Sequence, residues 1–245
     1  IFNLQKFSFT SQVQYDKGVL EDGINLFKDT YNRPAKNALF KFENGRVGSF
    51  QREEIGNMIL TDYLLHDLDQ YIRSLKFRPQ SYTITLRDKS VEPEITLAKS
   101  NNFGIEELIG EGVSNYTHSI PGRIHNVIFG ASKFNGILIP KGKTFSFNDT
   151  IGDISASTGY QPAYIIKGGK TVLGDGGGVC QVSTPLFRAA LNSGLPITER
   201  YAHAYRVSYY ENDSKPGLDA TVFAPSVDLK IENNTPAAIL IQTSV

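Results

Sequence analysis

The apolar positions of this chain follow two different spacings. Residues 1–22 alternate weakly, and the side carrying Phe7, Phe9 and Val13 predicts one or two strands. From Leu20 to Tyr31 the spacing becomes helical: Leu20, Ile24, Leu26, Phe27 and Tyr31 fall on one face. Asn32-Arg33-Pro34 ends that helix, because proline disfavours the helical conformation of the residue before it. NALFKFENGRVGSF then alternates on both sides of Asn44-Gly45. Such a pair between alternating runs predicts a tight hairpin, since both turn residues need positive φ. Helical spacing returns from Glu53 to Leu75, through Ile55, Met58, Ile59, Tyr63, Leu64, Leu68, Tyr71, Ile72 and Leu75. SYTITLRD (81–88) and EPEITLAK (92–99) read as extended segments.

A short helical turn, FGIEELIGEG, ends in glycines, and a domain boundary is expected near residue 112. Beyond it, Ile124, Val127, Ile128, Ala131 and Phe134 predict a helix. Pro140-Lys141-Gly142 is a turn, and FSFNDTIGD, GYQPAYII and KTVLGDGGG are strand-like. From Ile197 onward ITERYAHAYRVSYY, GLDATVF, SVDLKIENN and AAILIQTSV alternate repeatedly and predict antiparallel strands. The pattern is that of an α+β protein. A small α+β domain is expected over residues 1–112. A second domain is expected over 113–245, with a helix packed on an antiparallel sheet.

Composition narrows the function classes. The 245 residues are 40% hydrophobic and 20% charged, as in ordinary globular chains. Basic and acidic residues balance at 25 each, so no basic excess points to nucleic acid or an anionic membrane. No run of about 18 apolar residues is present, so no membrane contact by this chain is expected. The chain starts at Ile1 without methionine, and a removed N-terminal anchor is an expectation. One cysteine forms no intrachain disulfide. With four scattered histidines it makes no zinc site of the usual spacing, and no cofactor is expected. Nothing in the sequence sets an oligomeric state.

That single cysteine, Cys180, lies in GDGGGVCQVSTPLFRAALNSGL. Its thiolate, not its thiol, would be the nucleophile, and a nearby helix N-terminus favours that charge. The glycines before it let the backbone approach a ligand and expose N–H groups to an oxyanion. Pro185 is comfortable only in the first turn of a helix. The helix is therefore expected to start at Val182 to Thr184, with Ser183 or Thr184 as N-cap and Cys180 just ahead. Gly194 fits its C-terminal cap. His203 follows on an expected strand and Asp219 on the next, where they could lie side by side as base and orienting acid. Gly177, Gly178, Gln181, Ser183, Thr184 and Tyr205 are the expected oxyanion and substrate contacts. Against this stands the bland alternative, in which a lone cysteine is a small buried hydrophobe. His66, His118 and His125 read as solvated or solvent-edge residues, and Glu106, Glu107 and Glu111 as a solvated face. GDGGG lacks the Lys-Ser/Thr ending of a phosphate-binding loop.

Cysteine, then histidine, then aspartate is an order that resembles transglutaminase-like and papain-like thiol enzymes. GGGVCQVST, with FSFND and GYQPAY before it and HAYRVSYY and GLDATV after it, resembles a VanW-type domain over roughly residues 120–245. That family is named after an accessory gene of vancomycin-resistance clusters, and Pro185 departs from its usual motif. LFKDTYNRPAKNALFKFENGRVGSF and EPEITLAKSNNFGIEELIGEG resemble the peptidoglycan-binding domain that often precedes VanW domains in Gram-positive surface proteins. The resemblance implies an extracellular, membrane-anchored protein at the cell wall, and no agreed activity. Two functions follow as expectations. One is thiol peptidase or transpeptidase chemistry on peptidoglycan stem peptides through Cys180, His203 and Asp219. The other is a non-catalytic peptidoglycan-binding module or surface scaffold in which Cys180 is structural.

Overall fold

The computed structural model describes residues 13–75, 81–98, 103–167 and 170–245. The strands expected around Phe7 and Phe9 lie outside them. The chain divides into two units, Ile1–Asn37 with Glu53–Thr96, and Ala38–Arg52 with Leu97–Val245.

The chain enters α1 (Lys17–Tyr31), where Asp16 caps the first turn by accepting from the Gly18 N–H at 2.8 Å. The hairpin strands β1 (Leu39–Glu43) and β2 (Arg46–Gln51) come next and belong to the second unit. Returning to the first unit, the chain forms β3 (Gly56–Ile59), α2 (Thr61–Ser74) and β4 (Asp88–Val91). The helix expected over 53–75 is thus a strand followed by a shorter helix. Pairing decides this: Asn57 bridges Arg33, Lys36 bridges Glu54, and β3 runs antiparallel to β4. A Cβ on Gly56 would stand 2.4 Å from the Ala35 backbone nitrogen, so the segment lies tight against that neighbour. The expected extended segments at 81–88 and 92–99 yield one strand at their junction, β4. Ile24, Ile59 and Leu64 are buried at the centre of this unit.

In the second unit the hairpin forms as its turn dictates, with Asn44 at φ 52° and Gly45 at φ 75°. Then follow α3 (Pro121–Ser132), β5 (Ile137–Ile139), β6 (Thr144–Ser146), α4 (Phe147–Ile151), β7 (Pro162–Lys167) and β8 (Lys170–Asp175). The last elements are α5 (Cys180–Asn192), β9 (Ile197–Glu199), β10 (Lys230–Glu232) and β11 (Ile239–Ile241). All pairing among the described residues is antiparallel: β6-β10-β9 form one small sheet, β11 pairs with β5, and β7 pairs with β8. Phe134, Phe147, Leu229 and Ile231 fill the core, and α3 packs against α5 and β7.

Two expectations change here. The long strands expected after Ile197 shrink to three residues each, and residues 200–229 are held mainly by side chains and the isolated bridges Tyr201–Thr221 and Phe223–Val227. The helical turn expected at 103–112 is an open segment laid along α5. Gly110 and Gly112 permit this, since a Cβ on either would stand within 2.5 Å of the Ala189 or Pro185 carbonyl oxygen. Residues 103–112 cluster with the second unit.

Candidate active site

Helix α5 begins at Cys180 itself, two to four residues earlier than Pro185 suggests. Proline deprives the carbonyl four residues back, that of Gln181, of its helical donor. Ser114 makes good the loss: its hydroxyl donates to the Gln181 oxygen at 2.9 Å. Sixty-seven residues separate the two, so no local reading reveals it. Cys180 consequently occupies the first helical position, with Val179 as N-cap, and the helix dipole acts on it directly. At the other end Gly194 adopts φ 70°, and Leu195 N–H returns to the Ala190 oxygen, which closes a Schellman cap.

The first turn of α5 also fastens the strand-like segment opposite. Ser183 and Thr184, expected as substrate contacts, are fully buried. Ser183 Oγ donates to the Ala220 carbonyl at 2.7 Å, and Thr184 Oγ1 accepts from the Ala220 N–H at 3.2 Å. These hydroxyls stand in for a missing β-partner. They leave Asp219 and Thr221, the neighbours of Ala220, facing the cysteine end. The Tyr201–Thr221 bridge then sets the register, and two residues further along each arm His203 meets Asp219. His203 is not on a strand as expected, yet the pairing that brings the two together survives.

Asp219 Oδ2 accepts from both the backbone N–H of His203, at 2.9 Å, and its ring Nδ1, at 2.6 Å. Nδ1 is thereby engaged, and the imidazole is near enough to the Cys180 thiol for the two to influence each other's charge. The Cys180 Sγ lies 3.7 Å from Thr221 Oγ1 and 3.8 Å from the Val222 carbonyl oxygen. Burial pushes the thiol up, but the neighbouring His203 imidazole, with the Val222 carbonyl and the Thr221 hydroxyl, outweighs it and holds Cys180 below the usual thiol range. Burial likewise disfavours the imidazolium, while Cys180 and Asp219 together hold His203 above its ordinary value. For Asp219, burial is outweighed by the two His203 donors and Arg200, which keep the carboxyl below its usual range.

The remaining expected contacts divide. Gly177 and Gly178 form the turn before Cys180; Gly178 has φ 111°, and a Cβ on Gly177 would stand 2.7 Å from the Tyr164 oxygen. Gln181 is not free to serve an oxyanion, because its Nε2 donates to the Asn115 oxygen and its backbone N–H to the Gly178 oxygen. The Cys180 backbone N–H takes no acceptor among the described residues. Tyr205 is exposed on the loop after His203.

Three important residues went unread in the sequence. Tyr210 stacks on the His203 ring with centroids 5.3 Å apart, and burial holds its phenol protonated. Arg188, 6% exposed, donates to the carbonyls of Leu218, Val113 and Tyr210 and pairs with Asp213 at 2.8 Å. Arg200 donates to the Asp219 and Gly217 carbonyls. One signal for Arg188 was available: Gln181, Thr184 and Arg188 repeat at helical spacing, and all three are buried. Among the described residues no cluster of His, Cys, Asp and Glu could hold a metal ion, and no helix is long and apolar enough to cross a membrane.

Residues 122–245, half of the chain, match the family described as VanW like protein. The chain belongs to the VanW family. Residues 1–79 match a second family, described as "Putative peptidoglycan binding domain". Among curated relatives of this VanW-family chain, the uncharacterized protein YoaR of Bacillus subtilis (strain 168) is 33% identical over 159 residues, covering 65% of the chain and 51% of YoaR. The vancomycin B-type resistance protein VanW of Enterococcus faecalis (strain ATCC 700802 / V583) is 34% identical over 114 residues, covering 46% of the chain and 42% of that protein. The chain thus spans about half the length of these relatives. No solved structure matches it.

Proposed function

We propose that the VanW-family domain is a cysteine acyltransferase, a peptidase or transpeptidase, acting on the stem peptides of peptidoglycan at the cell surface. The observation that carries this reading is the Asp219–His203 pair, with Oδ2 2.6 Å from Nδ1, together with a free thiol at the first position of α5 whose charge the imidazole favours. Thiolate, base and orienting carboxylate are the three parts that acyl transfer to a cysteine requires. The layout, a cysteine opening a helix with its base and acid across from it, resembles that of transglutaminase-like and papain-like enzymes.

The steps follow from the atoms present. The Cys180 thiolate attacks a peptide carbonyl carbon. The negative charge that develops on oxygen is met by the Cys180 backbone N–H at the helix N-terminus. His203 Nε2–H protonates the departing amine as the C–N bond breaks, leaving a thioester. A water, or the amine of another stem peptide, then gives its proton to His203 and displaces the sulfur. Asp219 holds the ring through Nδ1 throughout and stabilises its charged form. The family match of residues 1–79 supports peptidoglycan as the polymer that brings substrate to the site.

A digest of purified peptidoglycan with the wild-type chain and with Cys180→Ala, read by mass spectrometry, tests this. Fragments or cross-links that differ from the untreated polymer are expected with the wild type alone. Identical products with both proteins reject acyl transfer and leave the peptidoglycan-binding reading, with Cys180 as a packing residue.

A further inference from the structure

Resting on that functional reading, we infer that Arg123 binds the free C-terminal carboxylate of the peptide, so that the site works within about one or two residues of a chain end.

The arginines around the cysteine differ in one respect. Arg188 pairs with Asp213, Arg200 with Asp219 and Arg206 with Glu211. Arg123 has no carboxylate partner among the described residues. It is half-buried at the third position of α3, and its held partners are all neutral. Nη1 donates to Ser119 Oγ at 2.8 Å, and Nη2 to Gln181 Oε1 at 2.7 Å. The guanidinium carbon lies 5.0 Å from the Tyr209 ring centroid, so an aromatic face fixes the plane. A guanidinium carries five N–H donors. Two are used, and the other three take no acceptor among the described residues. A rigid, half-desolvated fork with no anion is poised to take a carboxylate in bidentate fashion.

Its place relative to the sulfur sets the register of the substrate. The Arg123 Cγ stands 2.9 Å from where a Cβ on Gly178 would be, and its Nη2 grips Gln181. Those residues bracket Cys180, two before it and one after it. The charge of Arg123 also acts on the Tyr210 phenol, the same group that feels Cys180. The fork therefore runs beside the first turn of α5, and a peptide residue spans only about 3.3–3.6 Å. A carbonyl held against the Cys180 N–H leaves room for a short stretch of chain before its carboxylate reaches Arg123.

The test uses the full chain with Cys180→Ala, which cannot turn substrate over. A synthetic stem tetrapeptide with a free C-terminal acid and its C-terminal amide are titrated calorimetrically. The acid is expected to bind about tenfold or more tightly than the amide, because one charge-assisted pair is lost. Adding Arg123→Gln should reduce the acid to the affinity of the amide, and Arg123→Lys should recover part of the difference. Because the first comparison changes the ligand alone, it holds whatever a substitution does to folding. Equal binding of acid and amide, binding of neither, or an acid preference that survives Arg123→Gln overturns the inference. If Cys180-dependent products appear in the peptidoglycan digest while acid and amide bind equally, Arg123 loses this role and the acyl-transfer reading stands.

Discussion

Replacing Arg188 with methionine should loosen the whole active-site wall. The side chain is 6% exposed and reaches four acceptors at 2.5 to 2.8 Å: the carbonyls of Val113, Tyr210 and Leu218, and Asp213. Methionine suits a helix and fills similar space, so the change isolates the lost donors. Removing one partner of a buried ion pair costs about 3–5 kcal/mol. Each carbonyl left without a donor adds roughly 1–3 kcal/mol if water cannot reach it. Asp213 and its surroundings are partly open to water, so we expect a net loss of about 4 kcal/mol. That is a large share of the roughly 5–15 kcal/mol that holds an ordinary domain folded. The effect should be local first, since Leu218 adjoins Asp219 and Tyr210 stacks on His203. Hydrogen exchange across a denaturant series, resolved on peptides covering 205–222, measures the opening free energy where the loss is expected. A change below about 1 kcal/mol there would show that water or neighbouring donors replace the guanidinium, and the hub role assigned to Arg188 would be wrong.

Three further outcomes follow from the same geometry. Because Cys180 is the only cysteine and its thiol is held below the usual range, its alkylation at neutral pH should be faster than that of a free thiol, and Asp219→Asn should move the pH midpoint of alkylation upward by weakening the imidazolium; an unchanged midpoint would remove Asp219 from that role. By the same sign, Asp219 contributes stability above its unfolded value that is lost as pH falls through the lower folded one, so Asp219→Asn should flatten the acid limb of the unfolding curve. Ser114→Ala should cost about 1–2 kcal/mol by stranding the Gln181 carbonyl, and adding Pro185→Ala should recover most of it by restoring the helical N–H; additive losses in that double-mutant cycle would refute the compensation.

How much of this was legible in the sequence depended on distance along the chain. The Asn44-Gly45 hairpin, the Gly194 cap and the end of α1 before Pro34 were all readable, because each is fixed by the backbone preferences of adjacent residues. Cys180, His203 and Asp219 could be picked out as chemical types in a workable order. Their arrangement could not. The start of α5 depends on a hydroxyl sixty-seven residues away, and periodicity carries no trace of it. Residues 53–59 had a helical spacing, yet the backbone of residues 33–36 and β4 offered hydrogen bonds that the helix could not match.

Sequence by itself therefore determined the α+β class, the local turns and caps, the VanW resemblance and the three chemical groups worth watching. Tertiary structure decided which of them meet. His203 finds Asp219 through a single bridge at Tyr201–Thr221, while Ser183 and Thr184 anchor Ala220 from α5. The physical reason is satisfaction of buried polar groups. Short strands leave many backbone donors and acceptors unpaired, and serines, threonines and arginines from distant segments must meet them. Those partners are chosen by proximity in the folded chain, which no spacing along the sequence encodes.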